Sequence, residues 1–359
     1  MLCKKKIFFI LPSLCAGGAE RVMSFVAQQL NDSKFEAKLI VLGYENDTVY
    51  IVDKIEVIYL NKKRLLLAIF DLFFLIRKEK PAIVMSAIGH VNVIMGLFSF
   101  AFKNIKFIGR EASVVSKMSQ FSNSKVKISY FLIRFFYKRL DIIVCQSQNM
   151  KNDFINNFNI STSQLLVIHN PITAMPEIMH IKNEKDLMRF ITVGRLSPEK
   201  GHLRLLQILA MIESYEFVYT IVGSGPLLPE IKDAIIRLGI QDKVNLIPYT
   251  SKVLELLSEN DYFLQGSYVE GFPNALLESC TVGTPVLAFN VPGGTKEIVE
   301  QGINGFIVED ELEFWTVLFD LDKLKRINRE LVKKSVSEKF EGKAIIVKYE
   351  QLFDSLIYK

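Results

Sequence analysis

The sequence predicts an α/β protein, two doubly wound Rossmann-like domains in succession with an interdomain cleft. Three observations lead there. The chain has 359 residues, more than the roughly 250–300 at which a single hydrophobic core stops growing. Short apolar runs bounded by turn residues recur between longer stretches of helical periodicity, the mark of parallel sheets with helices on both faces. Between Asn170 and Arg189 a stretch with Pro171, Pro176 and the polar run Lys182-Asn183-Glu184-Lys185-Asp186 lacks any core-filling periodicity. It divides the series into a domain over 1–175 and a second over 176–339.

In chain order the predicted strands of the first domain are Ile7–Leu11, Leu39–Leu42, Val57–Leu60, Ala82–Met85, Ile105–Ile108, Ile142–Val144 and Leu165–Ile168. Those of the second are Phe190–Val193, Phe217–Val222, Val244–Ile247, Tyr262–Leu264, Pro285–Phe289 and Gly305–Val308. Nearly every residue in them is apolar, as expected of strands covered on both faces. In open sheets of this kind ligands bind beyond the carboxyl ends of the strands, so chemistry is expected in the strand-to-helix loops.

Composition closes off several classes. Half of the residues are hydrophobic and 23% are charged, which excludes a disordered chain. The cysteines at 3, 15, 145 and 280 form no CxxC pair and do not cluster with the histidines at 90, 169, 180 and 202. A disulfide scaffold or structural zinc site is not expected, and a reducing cytoplasm fits. Lys4-Lys5-Lys6 before Ile7–Leu14 imitates a signal peptide, but Gly17-Gly18-Ala19-Glu20 leads straight into an amphipathic run, so the segment reads as a first buried strand. No apolar run approaches the about 20 residues of a bilayer span. The expectation is an uncleaved protein, soluble or peripheral.

Charge is unevenly divided. Residues 1–175 hold 23 Lys and Arg against 12 Asp and Glu, whereas the remainder holds 21 against 27. A basic half suggests an anionic partner, nucleic acid or an anionic bilayer surface. Two stretches bear on the choice. Lys62-Lys63-Arg64, an apolar Leu65–Ile76 and Arg77-Lys78 form the first; residues 103–140 form the second, with nine basic residues and one acid among Phe121, Tyr130, Phe131, Phe135, Phe136 and Tyr137. Basic and bulky apolar residues together suit a lipid interface. Packing of Phe131, Phe135 and Tyr137 into the core, beneath a solvated lysine face, reads the same pattern equally well. No recognised nucleic-acid motif accompanies the charge.

The loops carry the remaining signal. Gly17-Gly18 follow the first strand, where glycines allow close approach of a ligand and a helix amino terminus favours negative charge; a tight turn explains them equally well. The corresponding loop of the second domain, Val193-Gly194-Arg195-Leu196-Ser197-Pro198-Glu199-Lys200-Gly201, adds a guanidinium fork and an ammonium, a pair suited to a diphosphate. Gly223-Ser224-Gly225-Pro226 is a further turn, and Gly293-Gly294-Thr295 opens another helix. Most informative is Glu270-Gly271-Phe272-Pro273-Asn274 followed by Glu278. Pro273 suits a first helical position. Glu270 before that helix and Glu278 within it can reach the two ends of one elongated ligand, and carboxylates accept hydrogen bonds from sugar or ribose hydroxyls.

Taken together, these motifs resemble the GT-B retaining glycosyltransferases of family 4, over nearly the whole chain. The resemblance implies that Arg195 and Lys200 hold the diphosphate of a nucleotide sugar, with UDP the commoner nucleotide in the family, and that Glu278 holds the ribose. It implies that Glu270, with Gly271, Phe272, Pro273 and Asn274, holds the donor sugar, while Gly17 and Gly18 approach the diphosphate. It also implies that the last helix, over 340–359, returns to complete the first domain. Arg195, Lys200 and helix amino termini would stabilise the leaving diphosphate, so no cofactor and no metal is expected. Relatives often carry a histidine where this chain has Ala112, whereas Arg110 and Glu111 are in place as acceptor-side residues; His90, after the Ala82–Met85 strand, reads either as a further acceptor-side residue facing the cleft or as a structural loop histidine. The expected activity transfers a hexose or N-acetylhexosamine to a lipid-linked saccharide, on the cytoplasmic face of the inner membrane, in cell-surface polysaccharide biosynthesis. A UDP-sugar epimerase on the same fold and a non-catalytic sugar-nucleotide or lipid-binding module are the alternatives.

Overall fold

A computed structural model describes residues 4–118, 120–121, 130–175 and 187–358. The chain divides into two compact units, one of 1–173 with 342–359 and one of 174–341. The polar run 182–186, His180 and Cys3 lie outside the described residues.

In the first unit seven parallel strands, β1 (Lys5–Leu11), β2 (Phe35–Val41), β3 (Glu56–Tyr59), β4 (Ile83–Ala87), β5 (Lys106–Arg110), β6 (Ile142–Cys145) and β7 (Leu165–Val167), form a sheet in the order β3-β2-β1-β4-β5-β6-β7. β1 is central because its last five residues are buried on both faces, leaving hydrogen-bonding edges for β2 on one side and β4 on the other, Ile7 standing opposite Ala37 and Ile83. Strand order reverses between β1 and β4, and the loops after these two strands carry Gly17-Gly18 and Ile88-Gly89-His90.

The final helix, Gly342–Ile357, belongs to this unit. Ile345, Tyr349 and Phe353 recur every fourth residue and are fully buried, Ile345 and Phe353 each contributing about 1.5–3 kcal/mol by leaving water. The Phe353 ring lies edge-on to Phe9 at 6.2 Å and to Phe35 at 5.9 Å, so the helix is anchored on the rings of β1 and β2.

In the second unit six parallel strands, β8 (Met188–Val193), β9 (Phe217–Val222), β10 (Val244–Ile247), β11 (Tyr262–Gln265), β12 (Val286–Phe289) and β13 (Gly305–Val308), are ordered β10-β9-β8-β11-β12-β13. Its core joins Phe190, Phe217, Tyr219 and Leu264 to the buried faces of helices His202–Leu209 and Glu311–Phe319. Here the order reverses between β8 and β11. That position governs the site, because helices leave opposite faces of the sheet there and open a crevice at the strand carboxyl ends.

Candidate functional site at the strand carboxyl ends

Four loops of the second unit meet above that reversal point: Gly194–Gly201 after β8, Gly223–Pro226 after β9, Gly266–Asn274 after β11 and Asn290–Gly294 after β12. Backbone bonds lock them together. Tyr268 N donates to Glu199 O at 2.8 Å, Leu196 N to Ser224 O at 3.0 Å, Glu270 N to Pro292 O at 2.9 Å and Gly294 N to Gly271 O at 2.8 Å. Two glycines make this closeness possible. Gly201 has φ +62°, and a Cβ there would lie 1.8 Å from Gly266 O; Gly293 has φ +133°, and its Cβ would lie 2.3 Å from Glu270 O. No other residue fits either place.

The loops bring Lys200 and Glu270 face to face. Lys200 Nζ donates to Oε1 of Glu270 at 2.7 Å and to Oε2 at 2.9 Å. Ser267 Oγ donates to the same Oε1 at 2.5 Å. The Glu270 side chain is 8% exposed and that of Lys200 29%, so the carboxylate is buried while the ammonium still reaches solvent. Arg195 stands exposed on the same loop as Lys200. Glu278 is half-buried at the fifth position of helix Asn274–Thr281. Pro273 immediately precedes that helix, one residue earlier than expected. Gly271, Phe272 and Pro273 are buried at its amino terminus, where the helix dipole favours negative charge. Among the described residues no group of three or more His, Cys, Asp or Glu is placed to hold a metal ion.

Two side chains beneath the loops escaped the sequence reading. Arg204 Nε donates to Gly266 O, and Nη2 to Ser267 O, while the guanidinium lies 4.0 Å from the ring centre of Tyr268 and 3.5 Å from that of Phe289. Burial lowers its pKa to about 10, against the opposing pull of Tyr268 and Glu311. A single arginine within helix His202–Leu209 was the available signal. His202 is fully buried. Its Nε2 donates to Arg195 O at 3.0 Å and Nδ1 has no partner among the described residues; burial, the leading cause, holds its pKa below the ordinary value.

In the first unit, Gly17 N donates to the Tyr50 hydroxyl at 3.1 Å and Gly17 O accepts from it at 3.0 Å, so that hydroxyl now occupies the backbone of Gly17. Gly18 begins helix Gly18–Gln29. The loop after β4 holds Ile88 at φ +77°, a strained conformation for a β-branched residue that costs on the order of 1–3 kcal/mol. It turns the chain so that His90 is exposed. Arg110 and Glu111 are buried instead. Arg110 Nη2 donates to Asn170 Oδ1 at 2.5 Å, and Glu111 Oε1 accepts from Asn92 Nδ2 at 2.8 Å and from the Tyr137 hydroxyl. Burial pushes the Glu111 pKa up, against these bonds. The two therefore build a buried network below the loop that presents His90.

Two family models cover most of the chain: "Glycosyltransferase Family 4" matches residues 16–174 and "Glycosyl transferases group 1" matches 175–313. The chain belongs to the GT-B glycosyltransferases of family 4. The transferase is 27% identical over 328 residues to the N-acetylgalactosamine-N,N'-diacetylbacillosaminyl-diphospho-undecaprenol 4-alpha-N-acetylgalactosaminyltransferase of Campylobacter jejuni, covering 86% of this chain and 87% of that protein. Over 311 residues it is 23% identical to the amylovoran biosynthesis glycosyltransferase AmsD of Erwinia amylovora, with 82% of each chain covered. Among solved structures, the lipopolysaccharide outer core galactosyltransferase WaaB matches with TM-score 0.78 at 18% identity, over 98% of this chain and 99% of that one. HepE of Anabaena, solved with UDP-glucose, also matches with TM-score 0.78 at 18% identity, over 98% and 100%. At these identities the structures establish the shared GT-B fold.

Proposed function

We propose that this transferase moves a hexose or N-acetylhexosamine from a UDP-sugar to a lipid-linked saccharide, with retention at the anomeric carbon, in cell-surface polysaccharide synthesis. The observation that carries the reading is the Lys200–Glu270 pair at the strand reversal point, with Arg195 exposed on the same loop as Lys200 and Glu278 on the helix that follows Glu270. An arriving diphosphate competes for Lys200; as the ammonium turns toward phosphate, Glu270 is freed to accept hydrogen bonds from the donor sugar. Glu278 takes the ribose hydroxyls, and Gly271, Phe272, Pro273 and Asn274 line the sugar's position.

The chemistry then follows charge. Cleavage of the bond between the anomeric carbon and phosphate oxygen puts positive charge on the ring and negative charge on the departing diphosphate. Arg195, Lys200 and the helix amino terminus stabilise that negative charge as fixed groups, without metal or cofactor. The acceptor hydroxyl attacks from the face the phosphate leaves, and its proton passes to the leaving phosphate oxygen, so atoms and charge balance without a separate base. The α linkage in the name of the Campylobacter relative supports retention, because it is the outcome expected from an α-linked nucleotide sugar.

Acceptor recognition falls to the first unit, 1–173 with 342–359, and donor binding to the second, 174–341. His90 meets the acceptor, with Arg110 and Glu111 holding its loop from below. The diphospho-undecaprenol in the name of the Campylobacter relative supports a lipid-borne acceptor, and a peripheral position on the cytoplasmic face of the membrane is part of the same proposal. Incubation with UDP- and GDP-sugars and undecaprenyl-diphosphate-linked saccharides tests the reading. NMR of the product should show a new α-glycoside; isomerised free donor, or no consumption of any donor, contradicts it.

A further inference from the structure

One surface of the first unit carries none of the residues assigned to sugar transfer. Helix Leu65–Glu79 carries two apolar stripes. Ala68, Leu72 and Ile76 recur every fourth residue and are fully buried, whereas Leu66, Phe70 and Phe74 recur at the same spacing and are 72%, 73% and 62% exposed. Helix Tyr130–Tyr137 repeats the arrangement, with Ile133 and Tyr137 buried but Phe131 and Phe135 72% and 48% exposed. Core packing therefore accounts for one stripe of each helix and leaves the other uncovered. A helix lying on a sheet ordinarily turns polar residues outward, and a contiguous apolar surface marks an interaction site.

Ring contacts lead from one helix toward the other. Phe74 meets Phe73 at 5.9 Å and Phe73 meets Phe102 at 4.8 Å. Two residues before Phe102, the exposed Phe100 stacks on Phe135 at 6.3 Å, which stacks on Phe131 at 6.3 Å. Cations border these rings. Lys63 and Arg64 stand exposed before the first helix, Arg77 and Lys78 in its last turn. The Arg139 guanidinium sits 4.1 Å from the Phe100 ring centre. Beside it Ser99, Lys103, Lys138 and Arg139 line a hollow with Asp141, whose carboxylate is held by Lys106 at 3.0 Å.

We propose that this face docks on an anionic phospholipid bilayer, with Leu66, Phe70, Phe74, Phe131 and Phe135 entering the interface and Lys103, Lys138 and Arg139 holding a lipid phosphate. Rings between basic residues gain from buried apolar area and from anionic headgroups at once. The charge selects this occupant over a second copy: residues 62–80 hold six basic residues against Asp71 and Glu79, both paired with lysines, Lys62 at 2.9 Å and Lys6 at 2.6 Å. A self-complementary contact would bring like charge against like. The docking deepens the reading of a lipid-borne acceptor and rests on it only for biological purpose, since vesicle binding needs no turnover.

Flotation of the full chain with vesicles tests it. The chain should float with vesicles of equal parts phosphatidylglycerol and phosphatidylcholine, less so as salt is raised, and should stay in solution with phosphatidylcholine alone. Lys103→Glu with Lys138→Glu should weaken binding on the order of a hundredfold, and Phe70→Ser with Phe131→Ser roughly tenfold or more, with unchanged circular dichroism. Absence of flotation, equal flotation with neutral vesicles, or folded variants that bind like the parent overturn the proposal. So does a dimer in size-exclusion chromatography that the Phe70→Ser, Phe131→Ser variant converts to monomer, which assigns the face to a second copy. Flotation without sugar transfer leaves the docking standing and removes the transferase chemistry; transfer to a soluble acceptor without flotation does the reverse.

Discussion

Replacing Lys200 by methionine keeps much of the side chain's length and removes its charge. Two effects follow from the geometry. The Glu270 carboxylate, 8% exposed, loses both ammonium contacts and retains the Ser267 hydroxyl at 2.5 Å. Removing one partner of a fully buried pair costs about 3–5 kcal/mol, and an exposed pair is worth about 0–1 kcal/mol. With Lys200 29% exposed, the expected loss lies between, about 2 kcal/mol, or roughly 4–8 °C in Tm for a unit of this size. The effect on turnover is larger, because a fixed positive charge facing the departing diphosphate is lost: kcat should fall about 10²–10³-fold, about 2.7–4 kcal/mol in the barrier. Stopped-time assays of UDP release report the second number and thermal denaturation the first. The variant Glu270→Gln and the double variant complete a cycle. Non-additive stability, with a coupling of about 1 kcal/mol or more, is expected for a direct contact. A Lys200→Met enzyme that folds and retains kcat within threefold of the parent refutes the reasoning.

Three further outcomes are expected. Arg204→Ala leaves the buried carbonyls of Gly266 and Ser267 without their guanidinium donor and should cost about 3 kcal/mol, with a raised KM for donor, measured by chemical denaturation and initial rates. Gly201→Ala places a Cβ 1.8 Å from Gly266 O and should lower Tm clearly, whereas Gly194→Ala, with open space around its Cβ, should leave it nearly unchanged. His202 is held below its ordinary pKa by burial, so its contribution to stability is present above the unfolded value of about 6.5 and is lost as pH falls through the lower folded value. Protonation puts a second N–H where Nδ1 has no acceptor among the described residues. His202→Gln should therefore lose less stability than the parent between neutral and mildly acidic pH; equal losses in paired melting curves contradict the assignment.

The order of the fold was legible because fully buried parallel strands write themselves as apolar runs, and each of the thirteen runs falls on a strand. The limits of those strands were less so. β5 extends to Arg110, beyond the expected end at Ile108, because a buried arginine bonded to Asn170 sixty residues away leaves no local pattern. Arg204 is the same case at the site: its partners lie at 266 and 267, and only folding brings them together. Local turn motifs are more legible, since Gly201 and Gly293 occupy turns whose positive φ and close backbone neighbours admit only glycine. Phe131 and Tyr137 show the remaining gap. Both suited core or interface in the sequence, and the helix phase separates them, burying Tyr137 and leaving Phe131 outside.

A crystal of the chain grown with UDP tests the central assignment most directly. Diphosphate oxygens are expected against Arg195 and Lys200, with Lys200 turned away from Glu270, and the ribose hydroxyls on Glu278. A nucleotide bound elsewhere, with the Lys200–Glu270 pair intact, contradicts the assignment.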